Sequence, residues 1–227
     1  MTRFGAVSYL NTRPLIEGLE PLVLATPARL VERFEAGELD VALLPVAAGE
    51  AAGLQRVSGL GIASEGPVES VLLFLRSAPE AVRSLAQDPA SRTSRILARI
   101  LLREVWGVRP ELCDPPADAE LVIGDRALTR AREESRFLDL GAEWTRWCGL
   151  PFVFAAWYGA LEAASELEAA YRRGRDEIPR YARESRLGLA PERLERYLRE
   201  SIRFRLGPRE LEGLALFLEK GRRLGLM

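Results

Sequence analysis

The chain contains no histidine, and this absence limits the chemistry that it can support. A Ser-His-Asp triad, a Cys-His dyad and a histidine-ligated metal site are all excluded. Any catalysis must therefore use carboxylates, hydroxyls, amides, arginines, backbone dipoles or groups of a bound substrate.

Cysteine is scarce as well. Cys113 and Cys148 are the only two in 227 residues, and their separation gives neither a CxxC pair nor a zinc-ligand spacing. Two reduced thiols are typical of a cytoplasmic protein, which is the location that we expect. No GxGxxG, P-loop or EF-hand pattern occurs, and we predict no metal and no cofactor.

A basic excess and a long apolar run are also missing. The formal net charge is -1, which disfavours a nucleic-acid partner. No segment approaches the roughly 20 apolar residues of a membrane span, and no signal peptide is visible before Ser8. We therefore expect a small-molecule partner, no membrane association, and a monomer or weak homodimer.

The first third of the chain alternates between strand and helix patterns. The runs "RFGAV", "PLVLA" and "DVALLPV" are typical of strands. A short helix in "RPLIEGL" separates the first two, and Thr26-Pro27 marks the start of a helix between the last two. This β-α-β-α-β order predicts a parallel sheet with right-handed crossovers. The runs "VSGLGIAS" and "VESVLLFLR" follow as two further extended segments.

A second α/β unit begins near Ser77. It contains an amphipathic helix in "SRTSRILARILLREVWG" and a strand in "ELVIGD", whereas the chain from Leu161 onward predicts charged helices without strands. We predict an α/β fold of two lobes with a central cleft. Residues 77–151 would form a second lobe inserted into a first lobe of residues 1–76 and 152–227.

Polar residues gather at the ends of the predicted strands. Tyr9, Asn11 and Thr12 follow the first strand, although Asn11 or Thr12 in that position could simply cap the next helix. Ser64 closes one strand and Ser70 begins the next, but serines are common at strand edges. Ligands of open parallel sheets bind beyond the carboxyl ends of the strands, so these residues are candidates for a cleft.

Two further clusters lie in the second unit. Ser91 is a plausible N-cap, and the amides of Arg92, Thr93 and Ser94 behind it would form an anion site at the positive end of the helix dipole. The alternative is a plain cap. Asp125 follows a glycine at the end of a strand, where it is either a site residue or the cap of the next helix.

The stretches "GAVSYLNTRPL", "GPVESVLLF", "SRTS", "LVIGDRAL" and "DLGAEWTRWCGLPFVFAAW" resemble, in this order and spacing, the chorismate dehydratase family. The resemblance implies a type II periplasmic-binding-protein fold that acts as a lyase and opens the futalosine route to menaquinone. Chorismate would lose water to give 3-[(1-carboxyvinyl)oxy]benzoate. The connection between "CDPP" and "ELVIGD" is shorter here than is usual in that family.

The resemblance also implies roles for individual residues. Asn11 and Ser70 match active-site positions of the family, and Ser91–Ser94 matches its anion-holding helix start. Tyr9, Thr12, Ser64 and Asp125 are placed in the substrate site by their proximity to these motifs.

The catalytic base is left open by the sequence. We expect the enolpyruvyl carboxylate of the substrate to serve as the base, with Asp125 in reserve. The alternative to an enzyme is a non-catalytic cytoplasmic binding protein for small carboxylates. The ligand-sensing domain of a transcription regulator is a third reading, which would need an attached DNA-binding module.

Overall fold

The computed structural model describes residues 1–134 and 136–227, which form two mixed β-sheets surrounded by helices. Within these residues the strands are β1 (Phe4–Val7), β2 (Leu22–Ala25), β3 (Val41–Pro45), β4 (Arg56–Ser64), β5 (Val71–Leu75), β6 (Ser84–Ala86), β7 (Glu111–Cys113), β8 (Ala119–Ile123), β9 (Phe137–Asp139), β10 (Phe152–Gly159) and β11 (Arg203–Arg205). The α-helices are α1 (Arg13–Ile16), α2 (Pro27–Glu35), α3 (Val46–Ala51), α4 (Arg92–Glu104), α5 (Asp125–Arg130), α6 (Leu140–Cys148), α7 (Ala164–Asp176), α8 (Ile178–Glu184), α9 (Pro191–Arg196) and α10 (Pro208–Arg223).

The first sheet has the strand order β11-β4-β10-β3-β1-β2. Strand β1 pairs in parallel with both β2 and β3, which confirms the parallel arrangement predicted from the β-α-β-α-β pattern. Helix α2 begins with Pro27 at its first position, where the missing N–H costs nothing. Thr26 precedes it without a capping side-chain hydrogen bond.

Strand β10 lies inside the first sheet, antiparallel to β3 and β4. Strand β11 closes the edge beyond β4, so the expectation of no strand after Leu161 is wrong. Its residues alternate, with Phe204 buried between exposed Arg203 and Arg205, a pattern that fits one covered sheet face. The charged residues on either side of this three-residue strand are typical of the helices around it, so the sequence pattern did not predict the strand.

The second sheet has the order β7-β6-β8-β5-β9, with β5 antiparallel to both of its neighbours. Strand β5, Val71–Leu75, therefore belongs to this sheet, whereas the predicted boundary near Ser77 assigned it to the first lobe. The chain crosses to the second sheet in residues 65–70 and returns to the first sheet after α6. Strand β5 is apolar and pairs with β8 on one side and β9 on the other, and this pairing places it in the second sheet.

Helix α4 packs its apolar face against α3, α10 and β10 of the first sheet's layer. A buried hydrogen bond joins the two units at the start of this helix, because the Ala47 N–H donates to Oγ1 of Thr93 at 3.0 Å. The strand ends of both sheets and the start of α4 consequently surround one common space.

Candidate functional site

A cavity of about 60 Å³, partly open to solvent, lies where these strand ends meet. Most of the wall is apolar, with Phe154 of β10 and Ile62 of β4 on one side. The polar side chains on the wall are Tyr9, Asn11, Ser70, Ser91 and Ser94.

Asn11 reaches the cavity from a 3₁₀ turn, Leu10–Thr12, that directly follows β1. Its side chain is 7% exposed, and its Oδ1 has no hydrogen-bond partner among the described residues. Neither Asn11 nor Thr12 caps the following helix, so the simpler explanation of this cluster does not hold. A buried carboxamide oxygen without a partner can accept a hydrogen bond from a ligand.

Ser70 lies at the sharp corner through which the chain enters the second sheet. The preceding residue, Glu69, has a left-handed backbone with φ 59°, which is uncommon for a residue other than glycine. The Ser70 hydroxyl donates to the carbonyl of Val68 at 3.3 Å, a long bond that a ligand could replace. Strained backbone of this kind is frequent at binding and catalytic sites.

The start of α4 forms another part of the wall. Oγ of Ser91 accepts the Ser94 N–H at 3.2 Å, which confirms the predicted N-cap, and the Ser91 hydroxyl donates to Oγ of Ser94 at 3.1 Å. Ser91 and Ser94 also line the cavity, so the cap and the cavity wall are the same residues. The positive end of the helix dipole favours an anionic group here.

The other two residues of the SRTS motif face elsewhere. Thr93 is fully buried and binds the Ala47 amide, and Arg92 is exposed on a neighbouring groove with Arg95 and Arg99. Neither side chain lines the cavity. The four-residue motif therefore divides between a cavity wall, a bridge between the two units and an outer groove.

Tyr9 packs against Gly124, and both residues line the cavity. Burial raises the pKa of Tyr9 to about 12, and the charges of Asp88 and Asp125 act in the same direction. The phenol is therefore protonated at neutral pH and can donate a hydrogen bond. Gly124 has φ +64°, and a β-carbon there would lie 2.8 Å from the Tyr9 ring.

Asp125 stands behind this wall rather than in it. Its Oδ1 accepts the backbone N–H of Leu10 at 3.0 Å, and it makes no capping bond to α5. Burial raises the pKa of Asp125, and the Leu10 hydrogen bond partly opposes that rise. The carboxylate thus ties the turn after β1 to the end of β8.

Five of the ten predicted site residues line the cavity, namely Tyr9, Asn11, Ser70, Ser91 and Ser94. The five that do not line it are Thr12, Ser64, Arg92, Thr93 and Asp125. The Ser64 hydroxyl donates to the Gly66 carbonyl at 3.2 Å, which makes it part of the corner. Their roles toward a ligand remain predictions.

Two residues near the site were missed from the sequence, the half-buried Asp139 and the buried Tyr197. Asp139 accepts the amides that precede Ser70, and the hydroxyl of Tyr197 contacts Ser70 and Asn11. The acid in "FLDLG" gave a usable signal, because it stands at a strand end just before a helix. Tyr197 lies in an arginine- and glutamate-rich segment that gave no signal.

Among the described residues, no group of three or more cysteine, aspartate or glutamate side chains is arranged to hold a metal ion. None of the helices described combines the length and the apolar character that a bilayer span requires.

Two mixed sheets, two chain crossings and a cavity between strand ends define a periplasmic-binding-protein-like fold, in which the second lobe is inserted into the first. A solved Archaeoglobus fulgidus protein is similar at TM-score 0.69 with 14% identity, covering 100% of this chain and 98% of that chain. The alkanesulfonate-binding protein of Xanthomonas axonopodis pv. citri, solved with MOPS bound, is similar at TM-score 0.64 with 14% identity, covering 99% and 93% of the two chains. These likenesses concern the fold.

Sequence comparison gives the family. The menaquinone biosynthesis family model matches residues 2–223, and the chain belongs to this family. A chorismate dehydratase of Campylobacter jejuni subsp. jejuni is 29% identical over 165 residues, which cover 67% of this chain and 65% of that protein. The alignment thus spans slightly less than two thirds of this relative.

Proposed function

We propose that the protein is a lyase that dehydrates chorismate to 3-[(1-carboxyvinyl)oxy]benzoate, the first step of futalosine-dependent menaquinone biosynthesis. One observation carries the proposal. Tyr9 is the only titratable side chain among the described residues that line the cavity, and its pKa of about 12 keeps it protonated. A site with donors and acceptors but no base of its own suits a substrate that brings the base.

Chorismate meets this condition. Its C3 proton is activated through the ring double bond by the ring carboxylate, and its enolpyruvyl carboxylate is attached to the C3 oxygen. That carboxylate takes the C3 proton, electron density moves toward the ring carboxylate, and the C4 hydroxyl then leaves with a proton as water. The ring becomes aromatic, so the reaction is strongly favourable.

The wall of the cavity has the groups that these steps need. Ser91 and Ser94 line the cavity at the start of α4. They would hold the ring carboxylate, where preorganised donors would stabilise the negative charge that develops. Loss of one such donor typically costs about 10²–10³ in rate. Asn11 and Ser70 would hold the C4 hydroxyl and the enolpyruvyl arm beside the largely apolar wall.

The second candidate function is a binding protein for small carboxylates that performs no reaction. A cavity without a base of its own also fits this function, and a fold similar to that of the alkanesulfonate-binding protein is compatible with it. The substrate chemistry and the chorismate dehydratase relative favour the lyase.

Incubation of the purified protein with chorismate, followed by ultraviolet absorbance, separates the two functions. The lyase produces an aromatic product with a new absorbance band, and Ser70→Ala should lower its rate of formation about 10²-fold. Ser77→Ala is the matched control, since this serine follows the far end of β5, does not line the cavity, and its hydroxyl donates to the Ala78 carbonyl. Binding of chorismate without any product would exclude the lyase and support the binding protein.

A further inference from the structure

Tyr197 is a tyrosine whose side chain is 1% exposed and whose hydroxyl ends beside two residues of the cavity wall. The phenol oxygen lies within hydrogen-bonding reach of the Ser70 and Asn11 side chains. These two residues come from different parts of the chain, one following β1 and the other preceding β5. Tyr197 belongs to a third part, so its hydroxyl joins three segments at one point.

The backbone around Tyr197 is unusual too. Residues Tyr197–Ser201 form a π-helical turn after α9, a geometry that is rare and is often found at functional sites. At the far end of the turn, the Ser201 hydroxyl donates to Oε1 of Glu69 at 2.5 Å. Both ends of the turn are therefore attached to the corner that presents Ser70.

We propose that Tyr197 is a positioning residue, which orients the Asn11 carboxamide and the Ser70 hydroxyl for the ligand. Oδ1 of Asn11 has no partner among the described residues, so the contact with the phenol is assigned to the Asn11 amide nitrogen. That nitrogen donates to the phenol oxygen, and the carboxamide is held with its acceptor oxygen available to a ligand. The acceptor then favours a ligand that carries a hydrogen-bond donor, such as a hydroxyl group.

The ionisation of Tyr197 is consistent with this role. Burial raises the pKa of its hydroxyl well above the ordinary value, and the contacts with Ser70 and Asn11 partly offset the rise. The phenol thus stays neutral while the enzyme works. It can accept one hydrogen bond and donate another without a change of charge beside the substrate.

The contact with Asn11 can be tested without any assay of activity. Asn11 is the only asparagine in the chain, and Gln55 and Gln87 are the only glutamines, so ¹⁵N-labelled protein gives three side-chain amide pairs. Asn11→Asp identifies the asparagine pair by its loss. Tyr197→Phe should shift the Asn11 pair and leave both glutamine pairs in place.

Tyr181→Phe is the matched control, because that buried tyrosine has its hydroxyl on Glu17 at 2.5 Å and does not line the cavity. It should leave the Asn11 pair unmoved. An Asn11 pair that stays in place in Tyr197→Phe would overturn the proposal. If Tyr197→Phe does not fold, Asn11→Ala must shift the Tyr197 Cζ resonance in ¹³C-tyrosine-labelled protein, and a stationary resonance is equally decisive.

The effect on turnover rests on the proposed function and is measured separately. With chorismate, Tyr197→Phe should lower kcat about 10-fold and change KM less than twofold, because the contacts that align the reacting groups are lost. In an Asn11→Ala background the same change should have almost no further effect. Equal kcat losses in Tyr197→Phe and Tyr181→Phe, or full additivity with Asn11→Ala, would refute the positioning role. Inactive wild-type protein would instead refute the lyase and leave the amide experiment valid.

Discussion

Oδ2 of Asp139 accepts the backbone N–H of Glu69 at 2.6 Å. The same carboxylate accepts the N–H of Val68 and, through Oδ1, two amides at the start of α6. Glu69 has a left-handed backbone that costs about 1–3 kcal/mol, and these hydrogen bonds offset that cost. Asp139, the N-cap of α6, thereby fixes the backbone that determines where the Ser70 side chain points.

Asp139→Ala should be strongly destabilising. The change leaves several partly buried backbone N–H groups without an acceptor, and we expect a loss of about 2–4 kcal/mol in the free energy of unfolding. Urea denaturation measures this loss. Asp118→Ala is a suitable control, since Asp118 accepts the amides of Arg83 and Ser84 away from the cavity. Equal losses in both variants would show that the corner has no special dependence on Asp139.

The role of Asp139 shows which part of the site can be predicted from sequence. Strand and helix periods predicted the parallel start of the first sheet, and Ser91 was correctly assigned as an N-cap because that bond is local. Asp139, by contrast, acts on amides 70 and 71 residues earlier in the chain. A local sequence pattern cannot predict a contact between residues so far apart in the chain.

Side-chain direction limited the prediction in the same way. The SRTS motif correctly located the start of α4, but helical geometry turns Thr93 toward α3 and leaves Arg92 on the outer groove. Similarly, Tyr197 reaches the site only because α9 and its π-helical turn pack beside the corner. Proximity in sequence therefore identified the neighbourhood of the cavity but not each member of its wall.

Substitutions at Thr93 and at Ser94 should have different effects, the first on stability and the second on ligand binding. Thr93→Val removes the acceptor of the buried Ala47 N–H and should cost about 1–3 kcal/mol of the free energy of unfolding. Ser94→Ala retains the backbone N–H that Ser91 caps, so its stability should change little, while its KM for chorismate should rise because a hydroxyl is lost from the wall. Urea denaturation and steady-state kinetics on both variants test this pair. A larger rise in KM for Thr93→Val than for Ser94→Ala would contradict the assignment.

Asp125 should make the protein less stable as the pH rises. Burial raises its pKa in the folded state above the ordinary 3.8, so the folded protein binds more protons than the unfolded chain between these two pKa values. The free energy of unfolding consequently falls as the pH increases through that window. Asp125→Asn removes this titration, so the urea midpoint of the wild type relative to that of Asp125→Asn should fall as the pH rises from 3.5.

Asp40 provides a comparison of opposite sign. Its hydrogen bonds with Arg3 lower the pKa of this carboxyl to about 2. The stability that it contributes is present above pH 3.8 and is lost as the pH falls toward 2. Asp40→Asn should therefore weaken the protein at neutral pH and not at the acid end. If Asp125→Asn instead lost stability at neutral pH and not at acid pH, as expected for Asp40→Asn, burial would not be the main influence on the pKa of Asp125.

Gly124 should be required for the position of Tyr9. Gly124 and Gly107 both have left-handed backbones, with φ +64° and φ +70°, so alanine at either position should cost about 1 kcal/mol through strain alone. Around Gly107 no atom lies within 4 Å of an added β-carbon, whereas at Gly124 that carbon would meet the Tyr9 ring at 2.8 Å. Gly124→Ala must therefore displace the ring from the cavity wall, and we expect a further loss of stability together with a roughly 10-fold rise in KM for chorismate.

Thermal unfolding and kinetics of the two variants are the measurements, and Gly107→Ala should keep the wild-type KM. Identical behaviour of the two alanine variants would mean that Tyr9 does not depend on this close approach.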